Sequence, residues 1–353
     1  MTGSITARYA RWDGVGRPFC VASTSLTEPL RPGHVLVAVD LATVCGSDLH
    51  TVLGHRVSPC PSVLGHEQVG TVVGVSDEEP SLAVDGTPLA VGDRVVWSVT
   101  VSCGRCALCE RGLRQKCRGL RKYGHERIDD GWLLSGGFAT HCELLPGTAI
   151  VRMPAQVPDA VAGPASCATA TVACTLAAAG PLAGRRVLVS GAGMLGVTAT
   201  AMAAEADAEV VVVDPDARRR SLARRFGAAE VAGSIGGTES FDVALELSGS
   251  PDAVETSVRA LRTGGRAVLA GSVSAGRPVA VDPERIVRGL LTIAGVHNYR
   301  AQDLVAGVRF LAEHHGRYPF AELVGRGHRL DRIDAALAAA RSSPEVLRQA
   351  ITP

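Results

Sequence analysis

One pattern constrains this 353-residue chain more than any other: a short apolar run that enters three spaced glycines and then a helical stretch. Val187-Leu-Val-Ser190 leads into Gly191-Ala-Gly193-Met194-Leu195-Gly196, and an Ala- and Val-rich helical pattern continues to Ala206. A strand pattern over 209–214 follows, then a helix over 217–226 closed by Gly227, a strand over 243–247, a helix over 252–261 and a strand over 266–270. Strands that alternate with helices build βαβ units and a parallel sheet. In that setting G-x-G-x-x-G is a dinucleotide fingerprint. Gly191 permits the tight turn, Gly193 the close approach of a pyrophosphate, and Gly196 the packing of helix on strand. Met194 and Leu195 open the helix whose N-terminal N–H groups face phosphate.

Asp214 ends the next strand. A carboxylate there binds both ribose hydroxyls and repels a 2′-phosphate, which favours NAD(H) over NADP(H). The run Arg218-Arg219-Arg220 could tolerate a phosphate, but it also reads as a solvated helix start, the preferred reading. Ser248-Gly249 and Gly271-Ser272 end later strands of the sheet. Ligands in such sheets bind at the carboxyl ends of strands, so Ser248, Gly271 and Ser272 are expected to line the nicotinamide side.

The first part of the chain has a different character. Segments such as Val35–Val39, Val69–Val75 and Asp93–Trp97 are short, rich in Val and bounded by Gly, Pro or Asp, which reads as β structure. The polar stretch from Ser76 to Gly92 reads as a hairpin or surface loop. Near the end, 301–314 and 332–341 are Ala- and Leu-rich helical segments expected to fold back on the first domain. Aromatic residues are only 4% of the chain, so aliphatic side chains must fill most of the core. A formal net charge of +1 gives no electrostatic case for nucleic acid or an anionic membrane. The N-terminus lacks the apolar stretch of a signal peptide, and no run reaches the ~18 apolar residues of a membrane span. A cytoplasmic location is expected, where the ten cysteines serve as thiols or metal ligands rather than disulfides.

Four of them cluster as Cys103-x2-Cys106-x2-Cys109-x7-Cys117. Four thiolates so close can surround one tetrahedral zinc. The alternative, unrelated core cysteines, fits poorly with the polar residues between them, among them Arg105, Glu110, Arg111, Arg114 and Lys116. Four thiolates leave no open coordination position, so a metal held here is structural.

Three residues elsewhere invite a second reading: Cys45 in Cys45-Gly-Ser-Asp-Leu-His50, His66 in Gly65-His66-Glu67, and Cys167 in Gly163-Pro-Ala-Ser-Cys167-Ala-Thr-Ala-Thr. Each alone reads as an ordinary core residue. Together, in order, and with the four-cysteine lobe and the glycine fingerprint, these blocks resemble the zinc-dependent medium-chain dehydrogenase/reductase superfamily, alcohol dehydrogenase branch, over nearly the whole chain.

The resemblance implies an α/β fold: a GroES-like β-rich catalytic domain over 1–160, with a structural zinc lobe at about 103–117, and a doubly wound Rossmann domain over 161–296. A return segment, 297–353, completes the catalytic domain. It implies two zinc ions per chain. Cys45, His66 and Cys167 would hold the catalytic one, leaving an open position for the oxygen of an alcohol or carbonyl. Glu67 would sit beside the metal as outer partner or transient ligand, and Asp48 would orient the His66 ring. A proton relay would run from Ser47 through the nicotinamide ribose to His50. Arg219 would lie near the adenine.

The activity implied is hydride transfer between NAD(H) and a small polar primary or secondary alcohol or its carbonyl. Arg56 in the loop after Gly54, and Arg300 in His297-Asn-Tyr-Arg300, are either solvated loop residues or ligands for an anionic substrate group. Short blocks around Cys167 and Gly193 are similar to dehydrogenases linked to phosphonate metabolism and to cyclitol dehydrogenases. The alternatives are a cyclitol or polyol dehydrogenase, a ketone reductase with the same residues, and a non-catalytic NAD-binding redox sensor. Relatives of this kind associate through the Rossmann domain, so a homo-oligomer is expected, with Leu290–Ala294 as an edge strand for pairing.

Overall fold

The computed structural model describes residues 5–26, 29–128, 131–236, 240–342 and 345–353. The first four residues of the N-terminal stretch read above lie outside them. The chain forms two compact units. One comprises Met1–Cys167, Arg300–His315 and Phe320–Pro353, and the other Ala168–Tyr299 and Gly316–Pro319. The sequence reading sets the corresponding boundaries at residues 160 and 296.

The first unit is built on β-sheet. Val-rich alternation over Val35–Thr43 and Gln68–Val75 gives two long strands that pair antiparallel, and Arg94–Trp97 and then Ile150–Arg152 extend the sheet on one side. On the other side the last strand of the chain, Arg348–Thr352, pairs antiparallel with Val35–Thr43, placing Ala350 opposite Thr43, and Val324–Arg329 follows it. A second sheet has the order Cys20–Leu26, Ile5–Trp12, Ser62–Val63. The core of this unit holds Val and Leu side chains with Trp12, Trp97, Trp132, Tyr123 and Phe138. All three tryptophans of the chain are thus spent here. The stretch from Ser76 to Gly92 contains an antiparallel bridge between Leu82 and Pro88.

The second unit carries a six-stranded parallel sheet. Its spatial order is Glu230–Ala232, Glu209–Val213, Arg186–Ser190, Phe241–Glu246, Leu261–Leu269, Thr292–Gly295. In chain order these are the third, second, first, fourth, fifth and sixth strands, the doubly wound arrangement whose order reverses beside the first strand. Val187, Leu188, Val189, Val243, Ala244 and Leu245 are fully buried, as central strands covered on both faces require. The helix Met194–Glu205 is buried nearly all round, so its small Ala, Gly and Thr side chains allow close packing. Thr198 and Thr200 satisfy their hydroxyls on the carbonyls of Met194 and Gly196. The helix Ala217–Arg225 starts at Asp216, whose Oδ1 accepts from the N–H groups of Arg218 and Arg219. The edge strand begins at Thr292 rather than Leu290, because Leu290 adopts a positive φ of 51° in the turn that follows the helix Pro283–Arg288. Among the described residues no single helix is long and apolar enough to cross a membrane.

Candidate active site and metal centres

The lobe between the short strands Thr100–Val101 and Arg121–Lys122 brings Cys103, Cys106, Cys109 and Cys117 together. Sulfur–sulfur distances are 3.5 Å for Cys106–Cys109, 3.9 Å for Cys106–Cys117 and 3.4 Å for Cys117–Cys103. A tetrahedron with zinc–sulfur bonds of ~2.3 Å has sulfurs about 3.8 Å apart, so the four thiols fit one zinc. Backbone N–H groups of Arg118 and Cys109 lower the Cys106 thiol to about 6. Burial raises that of Cys109 to about 11.

The second cluster is assembled from distant parts of the first unit. Cys45 precedes the short helix Gly46–Val52. His66 and Glu67 lead into the strand Gln68–Val75, and Cys167 follows the 3-10 turn Gly163–Ser166. The ligand atoms of Cys45, His66, Glu67 and Cys167 all lie within 4.8 Å of one another. Two thiols, an imidazole and a carboxylate at that spacing suit zinc. The hydrogen bond from Cys167, with Arg348 close by, holds the Cys45 thiol well below its ordinary range, while Cys167 is pushed up by the same contact. Burial disfavours a charged His66, but Asp48 and Cys45 outweigh it and raise the imidazole.

Asp48 serves both ligands. One carboxylate oxygen accepts from the Cys45 N–H at 2.8 Å, and the other lies 3.4 Å from His66 Nδ1. This leaves Nε2 facing the cluster, with Ser47 Oγ at 3.2 Å from it. Ser47 itself is fixed by the helix, since Thr51 Oγ1 donates to its carbonyl. His50 lies in the last turn of the same helix, exposed, with its ring 5.7 Å from that of His55.

Glu67 is fully buried and has a partner that sequence reasoning missed. Arg348, on the final strand, donates from Nε to Oε2 at 2.7 Å and from Nη2 to Oε1 at 3.0 Å, while Thr43 Oγ1 donates to Oε2 at 2.7 Å. Arg348 Nη2 also lies 3.6 Å from Cys45 Sγ. Burial raises the Glu67 carboxyl and Arg348 opposes it. A lone arginine in an alternating C-terminal segment carries no local signal for this role.

In the second unit the glycine loop is drawn tight. A Cβ at Gly196 would lie 1.8 Å from the Gly191 carbonyl oxygen, whereas one at Gly193 would meet nothing within 4 Å. Gly193 is the N-cap of the helix that Met194 and Leu195 open. This is a cradle with open space over the helix N-terminus, as a bound pyrophosphate requires. Asp214 is nearly buried. Its Oδ2 accepts from the Ala192 N–H and its Oδ1 from the Asp216 N–H, both at 2.8 Å. Arg219 Nη1 lies 4.0 Å from the same carboxylate, and Arg220 folds back on the carbonyls of Asp214 and Pro215. Ser248 and Ser272 are gathered by buried Glu246, another residue missed from sequence. Its carboxylate accepts from the N–H groups of Ser248 and Gly249 and from both serine hydroxyls, and its carbonyl accepts from the Gly271 N–H.

The two arginines left open by sequence part company. Arg300 caps the helix Ala301–His314, and its guanidinium is held by Asp303 at 3.1–3.2 Å. Arg56 is half-buried in the loop after Gly54.

Comparison with known proteins agrees with this geometry. Residues 31–155 match the alcohol dehydrogenase GroES-like domain, and residues 195–313 match the zinc-binding dehydrogenase family. The chain is 34% identical over 293 residues to an L-threonine 3-dehydrogenase of Deinococcus deserti, covering 77% of this chain and 79% of that protein. It is 30% identical over 292 residues to one of Pectobacterium carotovorum, covering 77% and 79%. An alcohol dehydrogenase from Thermotoga maritima superposes with a TM-score of 0.91 at 25% identity, over 99% of this chain and all of that one. A benzyl alcohol dehydrogenase from Acinetobacter calcoaceticus does so with a TM-score of 0.83 at 25% identity, over 99% of each chain. With a thiol-and-imidazole cluster, a four-thiol lobe and a glycine cradle in place, the chain belongs to the zinc-dependent medium-chain dehydrogenase/reductase superfamily, in its alcohol dehydrogenase branch.

Proposed function

We propose that this oxidoreductase is an NAD(H)-linked dehydrogenase of small polar alcohols, with Cys45, His66 and Cys167 holding a catalytic zinc and Cys103, Cys106, Cys109 and Cys117 a structural one. The observation that carries the reading is the convergence of Cys45, His66, Glu67 and Cys167 within 4.8 Å beside the hydroxyl of Ser47. Bound zinc supplies Lewis acidity at an alcohol oxygen, and a bound nicotinamide supplies the two-electron acceptor.

The chain's own groups do the rest. Asp48 keeps His66 in the tautomer that turns Nε2 to the metal position. Ser47 Oγ receives the proton of the substrate hydroxyl. His50, three residues on along the same short helix, is exposed and so placed to pass the proton on to solvent. Both Glu67 oxygens are engaged by Arg348, so Glu67 stands beside the metal position as an outer partner, and two thiols and one imidazole serve as the three protein donors that an open catalytic site needs.

Gly191, Gly193, Met194, Leu195 and Gly196 cradle the pyrophosphate, and Ser248, Gly271 and Ser272 line the nicotinamide side. Each Asp214 oxygen that accepts one backbone N–H keeps a second lone pair for a ribose hydroxyl, and the charge disfavours a 2′-phosphate, so NAD(H) is the cofactor. Arg219 lies by the adenine. The complete donor set argues for a working enzyme rather than a redox sensor on the same fold. We further assign it to the cytoplasm as a homo-oligomer paired through the edge strand Thr292–Gly295, near which Val287 and Leu290 are each 72% exposed. A monomer in analytical ultracentrifugation would remove that assignment.

The substrate is a polar secondary or primary alcohol, and L-threonine is the first to test, given the names of the relatives. The zinc-loaded protein is expected to contain two zinc ions per chain and to form NADH from L-threonine or from another hydroxylated compound in a panel of acids, phosphates, phosphonates, polyols and cyclitols. One zinc or none, or no NADH from any member, overturns the reading.

A further inference from the structure

Beside the thiol–imidazole cluster lies a group of basic side chains that includes Arg56, whose role the sequence left open between solvated loop residue and anion ligand. The turn Lys122–His125 is closed by the His125 N–H on the Lys122 carbonyl at 3.2 Å. It is pressed against the segment that carries His66: a Cβ at Gly124, where φ is +72°, would lie 2.3 Å from the Gly65 carbonyl oxygen. The His125 ring therefore packs on the His66 ring, with centroids 4.8 Å apart. Two backbone links, the Ile128 N–H on the Pro61 carbonyl at 2.8 Å and the bridge between Ser62 and Arg127, tie the same stretch to the end of the loop that bears Arg56.

The side chains of Arg56 and Lys122 are half-buried, and neither has a hydrogen-bond or ion-pair partner among the described residues. The nearest carboxylate in sequence, Glu126, is occupied by Arg121 at 3.4 Å and by the Lys122 N–H at 2.9 Å. Burial, then the like charge of Arg56 and Lys116, pushes the Lys122 ammonium below its ordinary range, so these cations share a field. His125 Nδ1 is buried without a partner among the described residues. Two partly buried like charges close enough to feel each other, in a stretch that also holds an imidazole nitrogen without a partner among the described residues, stand at a cost in the free protein. An anion placed among them reverses that cost through charge-assisted hydrogen bonds.

We propose that Arg56, Lys122 and His125 form an anion subsite next to the Cys45–His66–Cys167 cluster, and that the alcohol oxidised there carries a carboxylate, phosphate or phosphonate group close to its hydroxyl. The inference rests on the reading of that cluster as the place where the alcohol is oxidised. The reaction remains a two-electron oxidation: the carbinol carbon gives a hydride to NAD, the hydroxyl proton leaves through Ser47, and the anionic group is unchanged.

The test pairs alcohols that differ in the anion: 3-hydroxybutyrate with 1,3-butanediol, glycerol 3-phosphate with glycerol, and L-threonine with its amide. Calorimetric binding of inorganic phosphate to the zinc-loaded protein gives a readout independent of turnover. The anionic member of at least one pair should have the higher kcat/KM, and which pair shows it separates carboxylate from phosphoryl recognition. In Lys122→Met and Arg56→Met that preference should fall roughly 10- to 100-fold, mainly through KM, and phosphate binding should weaken in step. Lys122→Arg should restore part of both, which guards against a variant that merely misfolds. Neutral alcohols oxidised as well as their anionic partners, or phosphate binding indifferent to both substitutions, would overturn the subsite while leaving the dehydrogenase intact. If no alcohol yields NADH while phosphate still binds through Lys122, the oxidation site is what fails.

Discussion

At the residue scale the decisive group is Arg348. It is buried, it grips both oxygens of a fully buried Glu67, and one of its N–H groups reaches the sulfur of Cys45. A buried ion pair adds little over an apolar pair of the same shape, but removing one partner strands the other as an uncompensated charge. Arg348→Met is therefore expected to destabilise the protein by about 3–5 kcal/mol, read from urea unfolding of the zinc-loaded enzyme. The double variant Glu67→Gln with Arg348→Met should recover part of that loss, because the stranded carboxylate is gone. A loss below about 1 kcal/mol in the single variant would mean that Glu67 does not depend on Arg348. The pair also bears on the proposed metal site: an arginine and a threonine engage both Glu67 oxygens, which would disfavour its carboxylate as a fourth ligand.

At the scale of elements, the strand–loop–helix unit at Arg186–Glu205 separates two jobs of glycine. Gly196 is there for packing, since a methyl group would overlap the Gly191 carbonyl, and Gly196→Ala should lower both the melting temperature and NADH affinity. Gly193 has free space around its missing Cβ, so Gly193→Ala should fold with nearly the parent melting temperature yet bind NADH at least roughly tenfold more weakly, as measured by fluorescence titration. If Gly193→Ala binds as tightly as the parent, the cradle does not receive the pyrophosphate. This unit was legible in the sequence because all its parts are local: strand, turn and helix are neighbours, and each glycine has a steric reason. The four-cysteine lobe was legible for the same cause. Glu246, Arg348 and His125 were not. Their roles depend on which strand lies beside which, and Arg348 meets Cys45 only because the last strand pairs with Val35–Thr43. Arg300 is the instructive case between these extremes: its pairing with Asp303, i to i+3 at a helix start, is local, but it is easily read as a free loop cation when the start of the helix is not fixed.

For the molecule as a whole, the two metal positions differ in what they are expected to support. The lobe offers four thiols and, once they are filled, no open position, so a zinc held there would replace the hydrophobic core that so short a segment cannot form. The other position, if Cys45, His66 and Cys167 alone hold the metal as proposed, would have three protein donors in a unit also held by the strands Val35–Thr43, Gln68–Val75 and Arg348–Thr352, so this unit is expected to keep its shape without that metal. Fewer donors also mean weaker retention. Stepwise treatment with a chelator such as dipicolinate should remove one zinc first, with loss of turnover and little change in melting temperature. Loss of the second should lower the melting temperature by roughly 5 °C or more. The Cys109→Ser variant should show the converse, one zinc retained with turnover at low temperature but a lowered melting point. Zinc analysis, turnover and calorimetry on the same samples decide the matter. If both ions leave together, or if turnover survives the first loss, the division into a catalytic and a structural zinc is wrong.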